Sequence, residues 1–481
     1  MPVFSALRFG RSGTKEKFSV TDFLQNYRAK IRAAENPEQA IEEFRQKLQE
    51  VHNGVISDLG LNGFGDVDAI VAKEIQWICE TVAATTVAFE EIPSLDDSIV
   101  TAGERMAIQI MAAYFNKSHQ EGKFPIPAQP VSALELGLYT DNRFGAANID
   151  WSRAIEHTRE TVIGQFLDAN IMPVVSGFDG IYDRARDFDE SLQSRVVQGT
   201  PSPINKVYRT SLGRGGSDLT ATFLGLALDA EYVGFCKETP GVLTGDDLMV
   251  GASATTVPRL SYQLATEAGN IYSKAVTPVK AAKVPIHIFD PAQRDVRTVV
   301  SDRQLPEGFY IIDRPKSSVN VHLGSIPDEP GALIEFLNLF ADHSVNVEEI
   351  RHQRSGTDFI VCGDDSDIQT ALDRIHERGY EAFAHFSWYL RVIGNVTEEL
   401  AAEFNRFVGQ YDPLSLAAYQ LNTKVVTATI ARNRTVPTET EVARISGVVL
   451  QLHDHFVVPN ARDLPEYDEA KEMSLAGSTC S

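Results

Sequence analysis

The chain has 481 residues, 43% of them hydrophobic and 23% charged, and carries a formal net charge of −22. This length accommodates two or three domains with ordinary globular composition, and so acidic a balance excludes a generally basic face for nucleic acid or anionic membrane. Four scattered cysteines (Cys79, Cys236, Cys362, Cys480) and scattered histidines suggest neither a disulfide framework nor a structural metal.

No apolar run reaches the roughly 18 residues of a membrane span, and the N-terminus lacks a signal-peptide core. A cytoplasmic location is expected. Up to about residue 300, short apolar runs alternate with amphipathic segments. Strands are expected at 5–10, 171–178, 231–236 and 284–289, and helices at 36–51, 66–89, 103–115, 149–169, 217–230 and 262–274. The alternation predicts a three-layer α/β domain with a mainly parallel sheet over residues 1–301. Residues 302–317, polar and with two prolines, read as a linker. Beyond them, strand and helix patterns recur loosely in two small α+β units, 318–385 and 386–458, before a polar, acidic and flexible tail at 459–481.

One stretch stands out. "TSLGRGGSDLTATFLGLAL" (210–228) gathers three glycines around Arg214 and then turns apolar at helical spacing, so a helix starts near Ser217. Glycines allow close backbone approach, and the first N–H groups of a helix attract anions. The stretch reads either as an anion cradle or as a tight turn with a Ser/Asp cap. Its spacing is not that of a dinucleotide-binding loop.

With "LGRGGSD" (212–218) stand "AGERMA" (102–107), "YTDNRFGAA" (139–147), "GFDG" (177–180), "PGVLTGDD" (240–247), "SKAVTP" (273–278) and "LHDHF" (452–456). In this order the motifs resemble the aspartate kinases of the amino-acid kinase superfamily, a kinase domain followed by two ACT-like units. The resemblance implies phosphoryl transfer from ATP, carried with Mg²⁺, to the side-chain carboxylate of L-aspartate. A carboxylate is already ionised near neutrality, so catalysis needs placement and charge neutralisation rather than a base.

By this likeness Arg214 holds the substrate α-carboxylate, Glu104 its α-ammonium, and Phe178 and Ser217 shape the pocket. Asp218 orients a cation, Lys274 is the ATP-binding lysine, and Arg8 stands in the catalytic lysine's place. Gly10, Gly215, Gly216, Glu238 and Asp246 fall on the nucleotide side. Asp328, Glu329, Pro330, Gly331, Ala332 and Leu333 form the turn at which similar ACT units bind a free amino acid; a purely structural turn is the other reading. Both readings imply a homodimer or larger assembly with paired ACT-like units. No metal site is expected in the protein itself.

The phosphate side departs from the family. "LRFGRSGT" (7–14) replaces lysine by Arg8 and a glycine by Arg11, no four-residue apolar run follows between Thr14 and Gly63, and Leu248 stands for an arginine. Lysine and arginine differ in length and shape, so the replacement is not neutral. The enlarged segment 181–210 is a surface loop, or a lid whose Arg184, Arg186, Arg195, Lys206 and Arg209 return cations to the phosphates. The alternatives to an aspartate kinase are therefore a catalytically weak homologue that binds an amino acid as a regulator, and a kinase of a related carboxylic acid.

Overall fold

The computed structural model describes residues 3–4, 8–10, 17–87, 92–184, 207–237, 241–268, 271–290, 296–303, 310–313, 315–324, 331–343, 345–353, 356–363, 365–394, 396–411, 417–419, 425–431 and 439–457. The chain divides into two compact units, the first comprising Met1–Val233 and Ile271–Pro285, the second Gly234–Asn270 and Ile286–Ser481.

In the first unit a parallel sheet runs Val3–Phe4, Met172–Ser176, Ala128–Val131, with Met172–Ser176 in the middle. Val174 and Val175 are fully buried, as a two-sided central strand requires. Beside it the stretch that offered no apolar run of four residues folds as helices Val20–Gln25, Tyr27–Arg32 and Pro37–Asp58. Phe44, Leu48, His52 and Ile56 recur every fourth residue, which puts them on one buried stripe. They pack with Ile75, Ile78 and Ile110 of helices Val67–Val87 and Ala102–Gln120.

Several element boundaries differ from expectation. The strand expected at 5–10 is replaced by Val3–Phe4 and Arg8–Gly10, and the latter pairs antiparallel with Lys17–Ser19 in its own two-stranded sheet. Helix Trp151–Thr161 passes into a π-helical turn at Val162–Leu167. The helix expected at 262–274 is two helices, Tyr262–Glu267 and Ser273–Ala282.

The second unit holds a four-stranded sheet in the order Val233–Cys236, Ile286–Phe289, Val296–Ser301, Arg259–Ser261. Its larger sheet has seven strands and is shared by both ACT-like halves. Strand Ala382–Gly394 runs unbroken through residues 385 and 386. One edge of it pairs with Lys316–Leu323 and Tyr310–Ile312, the other with Val425–Ala431. The stretch read as a linker thus contributes strand Tyr310–Ile312. Alternation along Ala382–Gly394 sends Trp388, Leu390 and Val392 into a core with Phe404, Val449 and Leu452 of helices Glu398–Tyr411 and Glu439–Phe456. Helices Ala332–Asp342 and Asp365–Glu377 cover the first half through Phe336, Phe340 and Ile375. No helix among the described residues is long and apolar enough to cross a membrane.

Candidate functional site

Strand Met172–Ser176 ends in a turn at which Phe178 takes φ +68°, a left-handed conformation uncommon for any residue but glycine. The strain is held by packing: Phe178 is buried, and its carbonyl accepts the Leu212 amide at 2.9 Å. Strands Asp179–Asp183 and Val207–Ser211 then pair antiparallel and deliver the chain to the glycine-rich turn.

That turn needs its glycines. Gly213 and Gly215 have φ of +73° and +74°. A Cβ at Gly213 would lie 3.0 Å from the Gly145 carbonyl oxygen and 3.2 Å from Ala146 Cα. One at Gly215 would overlap the Tyr272 side chain, and one at Gly216 would lie 2.9 Å from the Phe178 ring and 3.0 Å from Phe178 Cα. The backbone here is pressed between neighbours on both sides. Helix Gly216–Ala227 starts at this point with no side chain capping its N-terminus, and Ser217 and Asp218 occupy its first turn. Arg214, between the glycines, is exposed, and among the described residues it forms no ion pair.

A second loop closes against the first. Asp141 accepts the Asn148 amide at 2.9 Å and the Asn148 side-chain NH2 at 2.8 Å, pinching residues 141–148 into a ring. The Asp141 carboxyl sits below its usual range: partial burial pulls it up, but the hydrogen bonds from Asn148 and the Arg143 amide outweigh this. Asn148 Oδ1 lies 3.5 Å from Nζ of Lys274, which is exposed in the first turn of helix Ser273–Ala282. The Ala147 amide donates to the Ser211 carbonyl at 2.8 Å, so this loop and the glycine turn are hydrogen-bonded neighbours.

Glu104 is fully buried in the first turn of helix Ala102–Gln120. The preceding helix, Pro93–Val100, supplies a residue that motif reading missed. Asp97, 5% exposed, receives the Gly145 amide on both oxygens at 2.9 Å and the Ser211 amide on Oδ2 at 2.8 Å. Burial pushes its carboxyl up to about 6, with the two amides working in the opposite sense and Asp96 and Asp179 adding repulsion. Its partners are backbone amides, which leave no mark in the sequence.

Of the predicted residues, the structure therefore links Phe178, Arg214, Gly215 and Gly216 directly in one turn, with Lys274 beside the loop that packs on it. Arg8 lies on the separate two-stranded hairpin with Gly10. Asp246 lies in the second unit, where its side chain accepts the Leu248 amide at 2.9 Å and caps the short helix Asp247–Val250; Leu248 itself is 83% exposed. Glu238 falls outside the described residues, as do Arg186, Arg195 and Lys206 of the lid reading. Arg184 is exposed. Arg209 does not reach out as a lid cation: its guanidinium donates to the fully buried Asp179 at 3.0 Å. Asp328, Glu329 and Pro330 also lie outside the described residues, whereas Gly331 takes φ +95° at the start of helix Ala332–Asp342, which Leu333 continues. A cavity of about 230 Å³ in the first unit, lined by Glu74, Arg105, Gln109, Glu135 and Arg209 among others, includes none of Glu104, Phe178, Arg214 or Lys274.

The sequence model of the amino acid kinase family matches residues 54–290, and that of the ACT domain matches residues 323–379. The chain is 27% identical over 264 residues to an aspartokinase of Corynebacterium efficiens, covering 53% of this chain and 55% of that one. It is 24% identical over 292 residues to the lysine-sensitive aspartokinase 3 of Escherichia coli, covering 58% of each. The chain is similar to the aspartokinases. Its match spans about half the length of these relatives. The aspartokinase fold extends further: E. coli aspartokinase III in complex with aspartate and ADP superposes with a TM-score of 0.68 at 20% identity, over 94% of this chain and 92% of that one. The same enzyme with lysine and aspartate gives a TM-score of 0.65 over 91% and 90%.

Proposed function

We propose that the chain is an ATP-dependent aspartate kinase that transfers the γ-phosphoryl group of ATP to the side-chain carboxylate of L-aspartate, giving 4-phospho-L-aspartate. The observation that carries this reading is the exposed Arg214 in a backbone turn fixed between Phe178, Tyr272 and the 141–148 loop. A planar guanidinium there suits the α-carboxylate of an amino acid, with Glu104 facing its ammonium group in this reading. Ser217 and Asp218 belong to the same helix N-terminus, whose amides favour anions. Lys274, beside Asn148, is the cation for the transferring phosphoryl group. Mg²⁺ would arrive with ATP and neutralise its phosphate oxygens; among the described residues no group of three His, Cys, Asp or Glu stands together as a metal site. Gly10, Glu238 and Asp246 belong to the nucleotide side of this reading.

The ACT-like units would pair in a homodimer or larger assembly and bind an amino-acid effector at residues 328–333. The helix after Gly331 offers its amides to a carboxylate there. A cytoplasmic enzyme of amino-acid biosynthesis fits this chemistry.

A second reading has one observation in its favour. Arg8–Gly10 pairs with Lys17–Ser19 rather than with the parallel sheet, so Arg8 sits on a rebuilt segment. This favours a weak or inactive homologue that binds an amino acid as a regulator. Coupled ADP release with L-aspartate, ATP and Mg²⁺, alongside calorimetric titration of L-aspartate, separates the two. Turnover above background supports the kinase; binding without turnover supports the regulator; neither, across aspartate and related carboxylic acids, refutes both.

A further inference from the structure

We infer that Asp97 is a positioning residue: its carboxylate clasps the 141–148 loop to the glycine-rich turn and so fixes the distance between the side chains those two segments present. The inference rests, for its kinetic part only, on the kinase reading above.

Both loops are short stretches without regular structure, joined directly by the Ala147 amide to the Ser211 carbonyl at 2.8 Å. Residues 141–148 are closed into a ring by Asp141 and Asn148, and the Ser211 hydroxyl reaches the Gly145 carbonyl at 3.4 Å. Asp97 supplies the anchor, taking the Gly145 amide at the tip of the ring on both carboxylate oxygens and the Ser211 amide on Oδ2. Ser211 extends the grip, since its hydroxyl accepts the Gly213 amide at 3.2 Å, one residue before Arg214. At the far side of the ring Asn148 meets Lys274. One carboxylate therefore connects, through short paths, the segment bearing Arg214 and the segment beside Lys274.

The clasp is anchored in turn. The Thr101 hydroxyl donates to the Asp97 carbonyl at 2.8 Å, and Thr101 directly precedes the helix that carries Glu104. Helix Pro93–Val100 thus ties three parts of the candidate substrate site to one rigid element.

The chemistry calls for a carboxylate in particular. Two backbone donors converge on it, and only an acidic side chain offers two equivalent acceptor oxygens with no donor of its own. An asparagine would present one oxygen and an NH2 that faces an N–H group. The ion is buried and its neighbours Asp96 and Asp179 are also acidic, so amide dipoles rather than a cation hold it. Such an arrangement makes sense for geometry: a site is accurate only when its supporting groups are themselves fixed.

The test uses the full chain and the variants Asp97→Asn and Asp97→Glu. Hydrogen exchange read by mass spectrometry should show peptides covering 141–148 and 207–216 losing protection together in Asp97→Asn, by about tenfold or more, with helix Pro37–Asp58 unchanged. In steady-state assays KM for aspartate should rise by about tenfold to a hundredfold with a smaller change in KM for ATP, and Asp97→Glu should recover part of the loss. Loss of protection in one loop only, or equally across the whole first unit, overturns the inference. So does an unchanged KM for aspartate where the wild type turns over. A wild type without aspartate turnover defeats the kinase reading, and the exchange data still decide the role of Asp97. If Asp97→Asn does not fold, the wild type decides: along a urea series its two peptides must lose protection in step, and separate openings refute the clasp.

Discussion

Replacing Gly215 by alanine separates two effects that the glycine-rich turn combines. The first is conformational: Gly215 has φ +74°, where an L side chain costs about 1–2 kcal/mol. The second is steric. The new methyl group would overlap Tyr272 Cβ and Cγ and lie 2.6 Å from Cδ1, so the helix bearing Lys274 or the turn bearing Arg214 must shift, at about 1–3 kcal/mol. Alanine also restricts the unfolded chain, returning about 0.4–1 kcal/mol. Gly63→Ala is the control, because Gly63 has φ +69° and open space where its Cβ would go. The two variants share the dihedral and unfolded-state effects, so their difference reports the clash alone. Calorimetry on the full chain should place the midpoint of Gly215→Ala below that of Gly63→Ala by about 2–12 °C, taking about 2–4 °C per kcal/mol for a unit of this size. Equal midpoints would falsify the claim that Tyr272 and the turn are in close approach.

Arg214→Ala should weaken L-aspartate binding by about 2–5 kcal/mol, since it leaves the substrate carboxylate without its partner; unchanged affinity in calorimetry would place the pocket elsewhere. Arg209→Met strands the buried Asp179, whose carboxyl burial already pushes upward, and should cost about 3–5 kcal/mol in urea unfolding. The double change with Asp179→Leu should cost much less, and equal losses would count against an ion pair. His52 is buried, its Nδ1–H donates to the Leu48 carbonyl at 2.7 Å, and burial lowers its pKa below 6.5. Its folded pKa is the lower one, so its contribution is full above about pH 6.5 and falls away as acid charges the unfolded form. The melting midpoint should drop between about pH 7.5 and 5.5, less steeply in His52→Leu; identical slopes would refute the assignment.

Periodicity carried most of the helices, because stripes such as Phe44–Leu48–His52–Ile56 survive any tertiary arrangement. The glycine-rich turn was legible for a similar reason: three glycines in four residues are hard to explain except by close approach, and Tyr272, Ala146 and Phe178 supply it. What escaped was set by long-range pairing. Arg8–Gly10 has the same strand character whether it joins the parallel sheet or a local hairpin, and only the partner Lys17–Ser19 decides. The repeat suggested two separate units, yet strand Ala382–Gly394 is long enough to pair with both halves at once, which no local pattern reports. Asp97 was invisible because its partners are backbone amides at Gly145 and Ser211, and an amide leaves no mark in a sequence. Arg209 looked like a free cation until a buried carboxylate 30 residues earlier claimed it.

The segment 241–250 poses a different problem, since the kinase family model includes it while it packs within the second unit. The Ile312 amide donates to the Thr244 carbonyl at 2.9 Å, and the Thr244 hydroxyl pairs with Nε2 of buried His453 at 2.9 Å. Val250 and Met249 enter the core that contains Leu452 and Phe404. A Cβ on Gly245 would stand 3.0 Å from the His453 ring. The residues flanking Asp246, which is proposed for the nucleotide, are thereby fixed to the second ACT-like half. His453→Leu removes one partner of the Thr244 hydroxyl, which keeps the Thr255 amide at 3.0 Å and the Thr255 hydroxyl at 3.3 Å, and should cost about 0.5–1.5 kcal/mol. If the fixation matters to the nucleotide, His453→Leu should raise KM for ATP by about fivefold or more and leave KM for aspartate nearly unchanged. Equal rises in both constants would mean that His453 stabilises the chain at large and has no particular hold on the segment around Asp246.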